Sequence, residues 1–450
     1  MGDIAEQLAD WSTRYPLDTL PPAGLEMLRL SFVDTLGVAL AGSPLPAVAM
    51  VGRWCTPPGP GEPGASRFGL AGKTRLLEAA LLNGTAAHAQ LYDDTNMVMN
   101  SHVSSPLVPA LLALGQTRGS GGRAVAEAYA VGMEVGVKLG RLLNPPLYEA
   151  GWHVTNVLGV LGVAAACARL LGLDARRCQM ALGIAASMSQ GLRQNFGTMT
   201  MGLHAGLAAR NGLHAALLAA DGFDSDADSL EGRYGLFRTF CRWEGGTLAP
   251  LGAPHELIAS GNLFKPYPSG APTVAAVDAA LAVHRRTGPL APERVKAIVC
   301  HVHPWNFKTL REGLPSTGLF GKVSLRYCVA RALHSGSLKL GHFTDAAVRE
   351  PAVVGLMERM QVQAEPSLPD NGEYPAEIEA RLSDGSTVAE RRERPLGSAA
   401  FPMQAGAVEA KFRDCAQGVI PPKRSEAVLR QLARLLELPT VAPLCEALEA

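Results

Sequence analysis

Net charge is missing from this sequence: 41 Asp and Glu balance 41 Lys and Arg over 450 residues. No basic stripe or acidic tail breaks that balance. Nucleic acid is therefore not an expected partner, because neutralising phosphates takes clustered Lys and Arg. The run Arg391, Arg392, Glu393, Arg394 reads as a solvated strand end. Aromatic residues are scarce at 6%, so the core must be built from Ala, Leu and Val. The eight cysteines include no pair at CxxC spacing, which argues against a zinc site or a disulfide framework. Cys167 and Cys328 sit in apolar helical stretches, as small core residues do. The opening MGDIAEQLADW has no charged segment leading into an apolar one, so no signal peptide is expected. The most apolar run, Val157 to Leu173, is interrupted by Arg169 and falls short of the ~20 residues that span a bilayer. A cytoplasmic protein with no membrane partner is the expectation.

What the sequence does have is helical periodicity. Residues 22–41 carry Pro22 near the start, Leu25, Leu28, Phe32, Leu36 and Leu40 on one face, and Gly42 just beyond. The same period predicts helices at 74–90, 106–115, 122–140, 156–171, 175–190, 203–220 and 274–286. After about residue 285 the character changes. Val295 to His303 is rich in β-branched residues and reads as a strand. Met360–Gln363 and Glu377–Leu382 read as two more, followed by the hairpin signal Asp384-Gly385. Helices at 323–334 and 345–358 lie between them, and 405–416 and 424–436 return to helix. The expected fold is mainly α with an α+β part. Residues 1–262 begin a helical domain, 263–400 form a smaller inserted α+β domain, and 401–450 return to the helical one.

Four polar loops each run into an Ala-rich helix. They are Asp93-Asp94-Thr95 with His102 and Ser104-Ser105-Pro106; Gly151-Trp152-His153-Val154-Thr155; Asn195 to Thr200 leading to His204; and Lys265-Pro266-Tyr267-Pro268-Ser269 with Thr273. A helix start leaves backbone N–H groups unpaired and carries partial positive charge, so converging starts would suit an acid. His153 and His102 are then candidates to move protons. Lys265 would anchor a carboxylate, and Asp93-Asp94 would orient a histidine or bind a hydroxyl. Thr95, Thr198, Thr200, His204, Tyr267 and Arg193 complete the candidate binding residues. Plainer readings stand beside these. Ser104, Thr155 and Thr273 fit ordinary N-caps, Asp93 and Asp94 fit helix bridges, and His204 fits a packed histidine. Arg193 fits a surface or interdomain residue. His301 and His303 alternate on a strand without a third metal ligand.

At these loops the chain resembles the MmgE/PrpD family. DTLGVALAG (34–42), YDDT (92–95) with HVSS, GWHVTNVLGVLGVAAACARLLGLD, NFGTMTMGLHAGLAARNG, KPYPS (265–269), VSLRYCVARAL (323–333) and EAKF (409–412) match successive family blocks. The resemblance runs nearly end to end. It implies a helical domain with an α+β insertion, an active site between the two, a homodimer, and cofactor-free, metal-free acid/base chemistry beside a carboxylate. It carries site roles to Asp93, Thr95, His102, His153 and Lys265, with His153 the leading general acid/base. Four positions depart from the pattern: Leu91 stands where decarboxylase-type members carry an acid, and Met201 replaces a lysine. Gly270 to Thr273 stand where a histidine is usual, and Leu325 where decarboxylase-type members carry a tyrosine. A lyase or isomerase performing elimination or epimerisation on a less acidic small acid is the leading expectation. A 2-methylcitrate dehydratase-type hydro-lyase and a non-catalytic metabolite-binding descendant are the alternatives.

Overall fold

The structure, a computed structural model, describes residues 3–370 and 372–450. Its first part is a stack of helices: α1 (Ile4–Arg14), α2 (Pro22–Gly42), α3 (Leu76–Ala89), α4 (Ser104–Arg118), α5 (Gly122–Leu143), α6 (Val154–Leu170), α7 (Ala175–Ser187) and α8 (Met199–Ala220). Local chemistry sets their ends. Asp3 accepts the Glu6 N–H at 2.6 Å to start α1. Gly119 adopts the left-handed conformation that stops α4. The Ala- and Gly-rich composition has a direct packing consequence: a Cβ on Gly206 of α8 would lie 2.2 Å from the Leu81 carbonyl oxygen of α3. Gly132 and Gly162 bring α5 and α6 together in the same way, since a Cβ on either would lie 2.8 Å from the carbonyl oxygen of the other. Few aromatics are needed because the backbones themselves come close.

The second part holds α9 (Val274–Thr287), β1 (Val295–Val302), α10 (Leu325–Ser335), α11 (Pro351–Glu358), β2 (Met360–Ala364), β3 (Ala376–Leu382) and β4 (Thr387–Arg392). The sheet order is β2-β1-β3-β4. β1 runs parallel to β2, with Cys300 opposite Val362, and antiparallel to β3, with Cys300 opposite Ile378. Along β3 the residues Ala376, Ile378, Ala380 and Leu382 point inward, the period-two pattern of a half-buried strand. β4 is an edge strand with Arg391 exposed, and the Asp384-Gly385 turn joins it to β3, Gly385 sitting at φ +92°. α12 (Ala405–Ala416) and α13 (Pro422–Ala433) then return to the helical core, where Phe412 packs against Gly37 of α2. One apolar core joins residues from Ile4 to Phe264 with Val408 to Leu448; a second runs from Ala275 to Leu382. The fold is mainly helical with a small α+β part. No single described helix is long and apolar enough to cross a membrane. All eight cysteines are free thiols.

The structure departs from the sequence pattern in instructive places. The stretch 345–358 is two helices, Asp345–Val348 and α11, because Pro351 disfavours helical geometry in the residue before it. The fourth strand, β4, has too few apolar residues to announce itself. Ser104, Thr155 and Thr273 are not side-chain N-caps. Val103, His153 and Thr273 occupy the cap positions of their helices without side-chain cap bonds, and the three hydroxyls are used in tertiary contacts or local turns instead.

Candidate active site

All four loop-to-helix segments meet at one small cavity of about 60 Å³, between the helical part and the α+β part. Thr95, Ser101 and His102 come from the first loop, His153 from the second, Phe196 and Met201 from the third, and Gly270, Ala271 and Pro272 from the fourth. Tyr148, Thr309, Val323 and Tyr374 close it. The volume is well below the ~300 Å³ of sites for drug-sized ligands, so the cavity is scaled to a small metabolite. Three of the four described non-glycine residues with positive φ line it: Leu91 at +50°, Asn100 at +52° and Tyr374 at +53°. Such conformations cost on the order of 1 kcal/mol each and gather where function over-determines the backbone.

Asp93 is the hub beneath the cavity floor. It is fully buried, and its Oδ2 sits 2.9 Å from His88 Nδ1 and 3.1 Å from His102 Nδ1. His102 Nδ1 also lies 2.8 Å from the Asp94 carbonyl oxygen. Both partners of that nitrogen are acceptors, so Nδ1 carries the proton and donates it. The Nε2 of His102 is then a bare lone pair, with no protein partner among the described residues. Burial works against charge on Asp93, but His102 and His88 more than offset it and hold the carboxyl well below its ordinary range. Burial pushes His102 down to about 4, with Lys265 and His88 adding to it and Asp93 opposing. At neutral pH the dyad is carboxylate and neutral imidazole, the resting state of a general base.

His153 is itself the N-cap of α6. Its Nδ1 faces His204 Nδ1 at 2.9 Å, Phe196 meets its ring edge-on at 4.9 Å, and its Nε2 has no protein partner among the described residues. Burial first, then the neighbouring imidazoles His88, His204 and His102, push it well below the ordinary histidine range. His88 stands between the two cavity histidines, 4.4 Å from His102 and 5.6 Å from His153 by ring centres. The sequence pattern did not single out His88. Its signal was a lone histidine in the last turn of an Ala/Leu helix, five residues ahead of Asp93.

Apart from Thr95, the remaining expected residues are placed away from the cavity lining. Lys265 is fully buried. Its Nζ donates to the Leu91 carbonyl at 2.7 Å and stands 3.9 Å from Asp93 Oδ1, so it braces the floor rather than facing a ligand. Burial lowers it to about 8 against the pull of Asp93. Asp94 is tied to Ser104 and accepts from Asn262 Nδ2 at 2.8 Å. Burial and Asp34 raise it to about 8, so it is a neutral acid anchoring its loop. Tyr267 donates to Asp278 at 2.7 Å, Thr198 donates to the Asn195 carbonyl at 2.8 Å, and Thr200 is exposed. Arg193 stacks 3.5 Å over the Tyr148 ring and donates to the Tyr148 carbonyl. His204 lies behind His153. Thr95 does line the cavity, and its hydroxyl is buried without a partner.

The departures noted in the sequence converge as well. Leu91 and Met201 pack with Val323, Phe196 and Phe320 into one apolar wall, and Gly270 to Pro272 continue it; Leu325 lies elsewhere, in the second core. No Lys, Arg, Asp or Glu lines the cavity among the described residues. His88, Asp93 and His102 have ligand atoms within 4.8 Å of one another, close enough to hold one cation. The same contacts are complete as N–H···O bonds, and the Lys265 ammonium would oppose a second positive charge there.

Comparison with known proteins agrees with this arrangement. The MmgE/PrpD N-terminal domain matches residues 6–247 and the MmgE/PrpD C-terminal domain residues 267–437. A cis-aconitate decarboxylase of Homo sapiens is 28% identical over 375 residues, 80% of this chain and 76% of its own. One of Aspergillus terreus is 25% identical over 471 residues, 99% of this chain and 96% of its own. Two matched domains that together span the helical part, the α+β part and the cavity between them leave one conclusion: the chain belongs to the MmgE/PrpD family.

Proposed function

We propose that the protein is a lyase or isomerase that removes a proton α to a carboxylate of a small acid, by elimination or epimerisation, using its own side chains as acid and base. One observation carries this reading: two neutral imidazoles, His102 and His153, present unbonded Nε2 atoms in a small cavity that no ionic side chain lines. The cis-aconitate decarboxylase relatives support a lyase acting on a small acid.

In this scheme His102 Nε2 takes the α-proton, and Asp93 stabilises the imidazolium that forms. The electron pair left on carbon spreads into the carboxylate as an enolate-like charge. The positive dipole ends of α6 and α8, which bring His153 and Met201 to the lining, favour that charge, and the free Thr95 hydroxyl supplies an O–H donor. In elimination, His153 Nε2–H gives its proton to the leaving hydroxyl; in epimerisation it returns a proton to the opposite face. The apolar wall of Leu91, Met201 and Val323 supports a substrate with an apolar substituent where a tricarboxylate carries another charge. Each unpaired carboxylate buried against it would cost several kcal/mol. The test is turnover of a panel of small carboxylic acids by His102→Ala and His153→Ala against the parent protein. Loss of turnover in both supports the scheme. Undiminished turnover in either, or efficient turnover of 2-methylcitrate, would overturn the role assignment or the substrate argument respectively.

A further inference from the structure

Two imidazoles whose Nδ1 atoms are 2.9 Å apart hold one proton between them. If both nitrogens were protonated, two donors would collide; if neither were, two lone pairs would. The pair therefore has two neutral arrangements. In one, His153 carries the Nδ1 proton and offers a bare Nε2 to the cavity. In the other, His204 carries it, and His153 offers Nε2–H. Resting on the acid/base reading of the cavity, we propose that His204 is a positioning residue that resets the tautomer of His153, so that one histidine serves as acid and as base in turn.

The steps balance in both directions. When His153 Nε2–H protonates a leaving group, the N–H electron pair stays on the ring. The shared proton then moves from His204 Nδ1 to His153 Nδ1, and His204 Nε2 takes a proton from solvent. Both rings end neutral, and His153 is left bare at Nε2. In the reverse sense, a proton arriving at that bare Nε2 makes an imidazolium. The shared proton moves back to His204 Nδ1, and His204 Nε2 releases its own proton to solvent. One proton crosses at the cavity and one at the far ring, in the same sense each time. A neutral histidine without such a partner would be locked in whichever tautomer its surroundings prefer.

The geometry around the pair is built for fixed contact. Gly191 covers both rings at φ +108°, and a Cβ there would lie 3.5 Å from both His153 Cβ and His204 Cγ and 3.2 Å from Asn156 Cβ. The Gly191 carbonyl accepts the His153 backbone N–H at 2.9 Å. Both rings are buried, each about 4% exposed, so the contact is not a solvent-averaged one. Gln190, next to Gly191, lines an open surface depression with Ser189, Asn211 and His214. His204 itself is in the first turns of α8, on the side away from the cavity lining.

The test needs no substrate for its first arm. Nitrogen-15 NMR of histidine-labelled protein reads the tautomer of each ring. The expected spectrum shows one protonated and one bare Nδ1 for the His153–His204 pair, and a single Nε2–H-type His153 in His204→Phe. Two ordinary Nε2–H rings in the parent protein, unchanged for His153 in the variant, would overturn the proposal. The second arm uses whichever acid of the carboxylate panel the parent protein turns over. His204→Asn keeps an amide near the Nδ1 position but cannot pass a proton. It is expected to hold KM within about threefold while kcat falls about 10²-fold, the lower range for an acid/base function. A parallel loss in KM, or no loss in kcat, would contradict the relay. Failure of the function reading is seen separately, as full activity in His153→Ala.

Discussion

Replacing Asp93 by Asn is the sharpest single perturbation of the floor, because four groups meet there. Oδ2 accepts from His88 at 2.9 Å and His102 at 3.1 Å, while Oδ1 faces the Lys265 ammonium at 3.9 Å. An amide satisfies only one side. With its oxygen toward the histidines, the NH2 meets the ammonium, donor against donor. With its NH2 toward the histidines, it meets their Nδ1–H groups donor against donor; His102 then either keeps its proton on the Asp94 carbonyl and loses the Asp93 contact, or gives up that bond and the bare Nε2 on which proton abstraction depends. Both orientations also remove the charge that stabilises a histidinium. General base function is worth ~10²–10⁴-fold, or about 3–5 kcal/mol at 1.36 kcal/mol per tenfold. The expected result is a kcat loss in that range with the protein still folded, read by steady-state turnover beside circular dichroism. Nitrogen-15 NMR should show the His102 Nδ1 signal shifted from that of the parent as its carboxylate partner is lost. Activity within about threefold of the parent, with His102 unchanged, would refute the reasoning.

Further expectations follow from the same geometry. Met201→Lys puts a cation into the apolar wall beside Leu91 and Val323. A charge-assisted bond worth about 1.5–3 kcal/mol should lower KM for a tricarboxylate such as cis-aconitate by roughly 10- to 150-fold at some loss of thermal stability; an unchanged KM would show that position 201 does not meet a carboxylate. The folded pKa of His102 lies at about 4, below its ordinary 6.5, so the unfolded chain binds the proton first. Its contribution to stability is intact above pH 6.5 and is lost as pH falls toward 4, an effect of about 3 kcal/mol for this one group. His204, also near 4 through burial and His88, acts in the same direction, so chemical denaturation midpoints should fall between pH 6.5 and 4 and recover partly in His102→Phe. Gly206→Ala places a methyl 2.2 Å from a carbonyl oxygen of α3 and should lower thermal stability by about 1–3 kcal/mol, as overpacking does; a melting temperature equal to the parent's would mean that the helices part freely.

Much of this was legible in the sequence because helical periodicity is strong where Ala and Leu alternate with glycine. The long helices of the first part and three of the four sheet strands followed from it. Boundaries fared less well: Thr155 looked like a cap, but the chain turns two residues earlier, at His153, and Thr155 instead accepts from Ser101 Oγ at 2.9 Å. The loops that meet at the cavity were identifiable as a set, yet their meeting is tertiary and no local pattern encodes it. His88 escaped because a histidine in an apolar helix usually signifies packing, and only the placement of Asp93 Oδ2 shows otherwise. Lys265 and Asp94 were legible as polar residues in the right loops, but burial turns one into a brace for the Leu91 carbonyl and the other into a neutral acid. Burial is a property of the assembled core, not of a window of residues.

The most direct measurement of the central claim is hydrogen exchange at substrate carbon. The protein would be incubated in D2O with small di- and tricarboxylates, hydroxy acids and imino acids, and each acid followed by proton NMR. The account predicts deuterium entry or turnover at one α-carbon, favouring an acid with an apolar substituent, and its loss in both His102→Ala and His153→Ala. Exchange at the parent rate in both variants would contradict it.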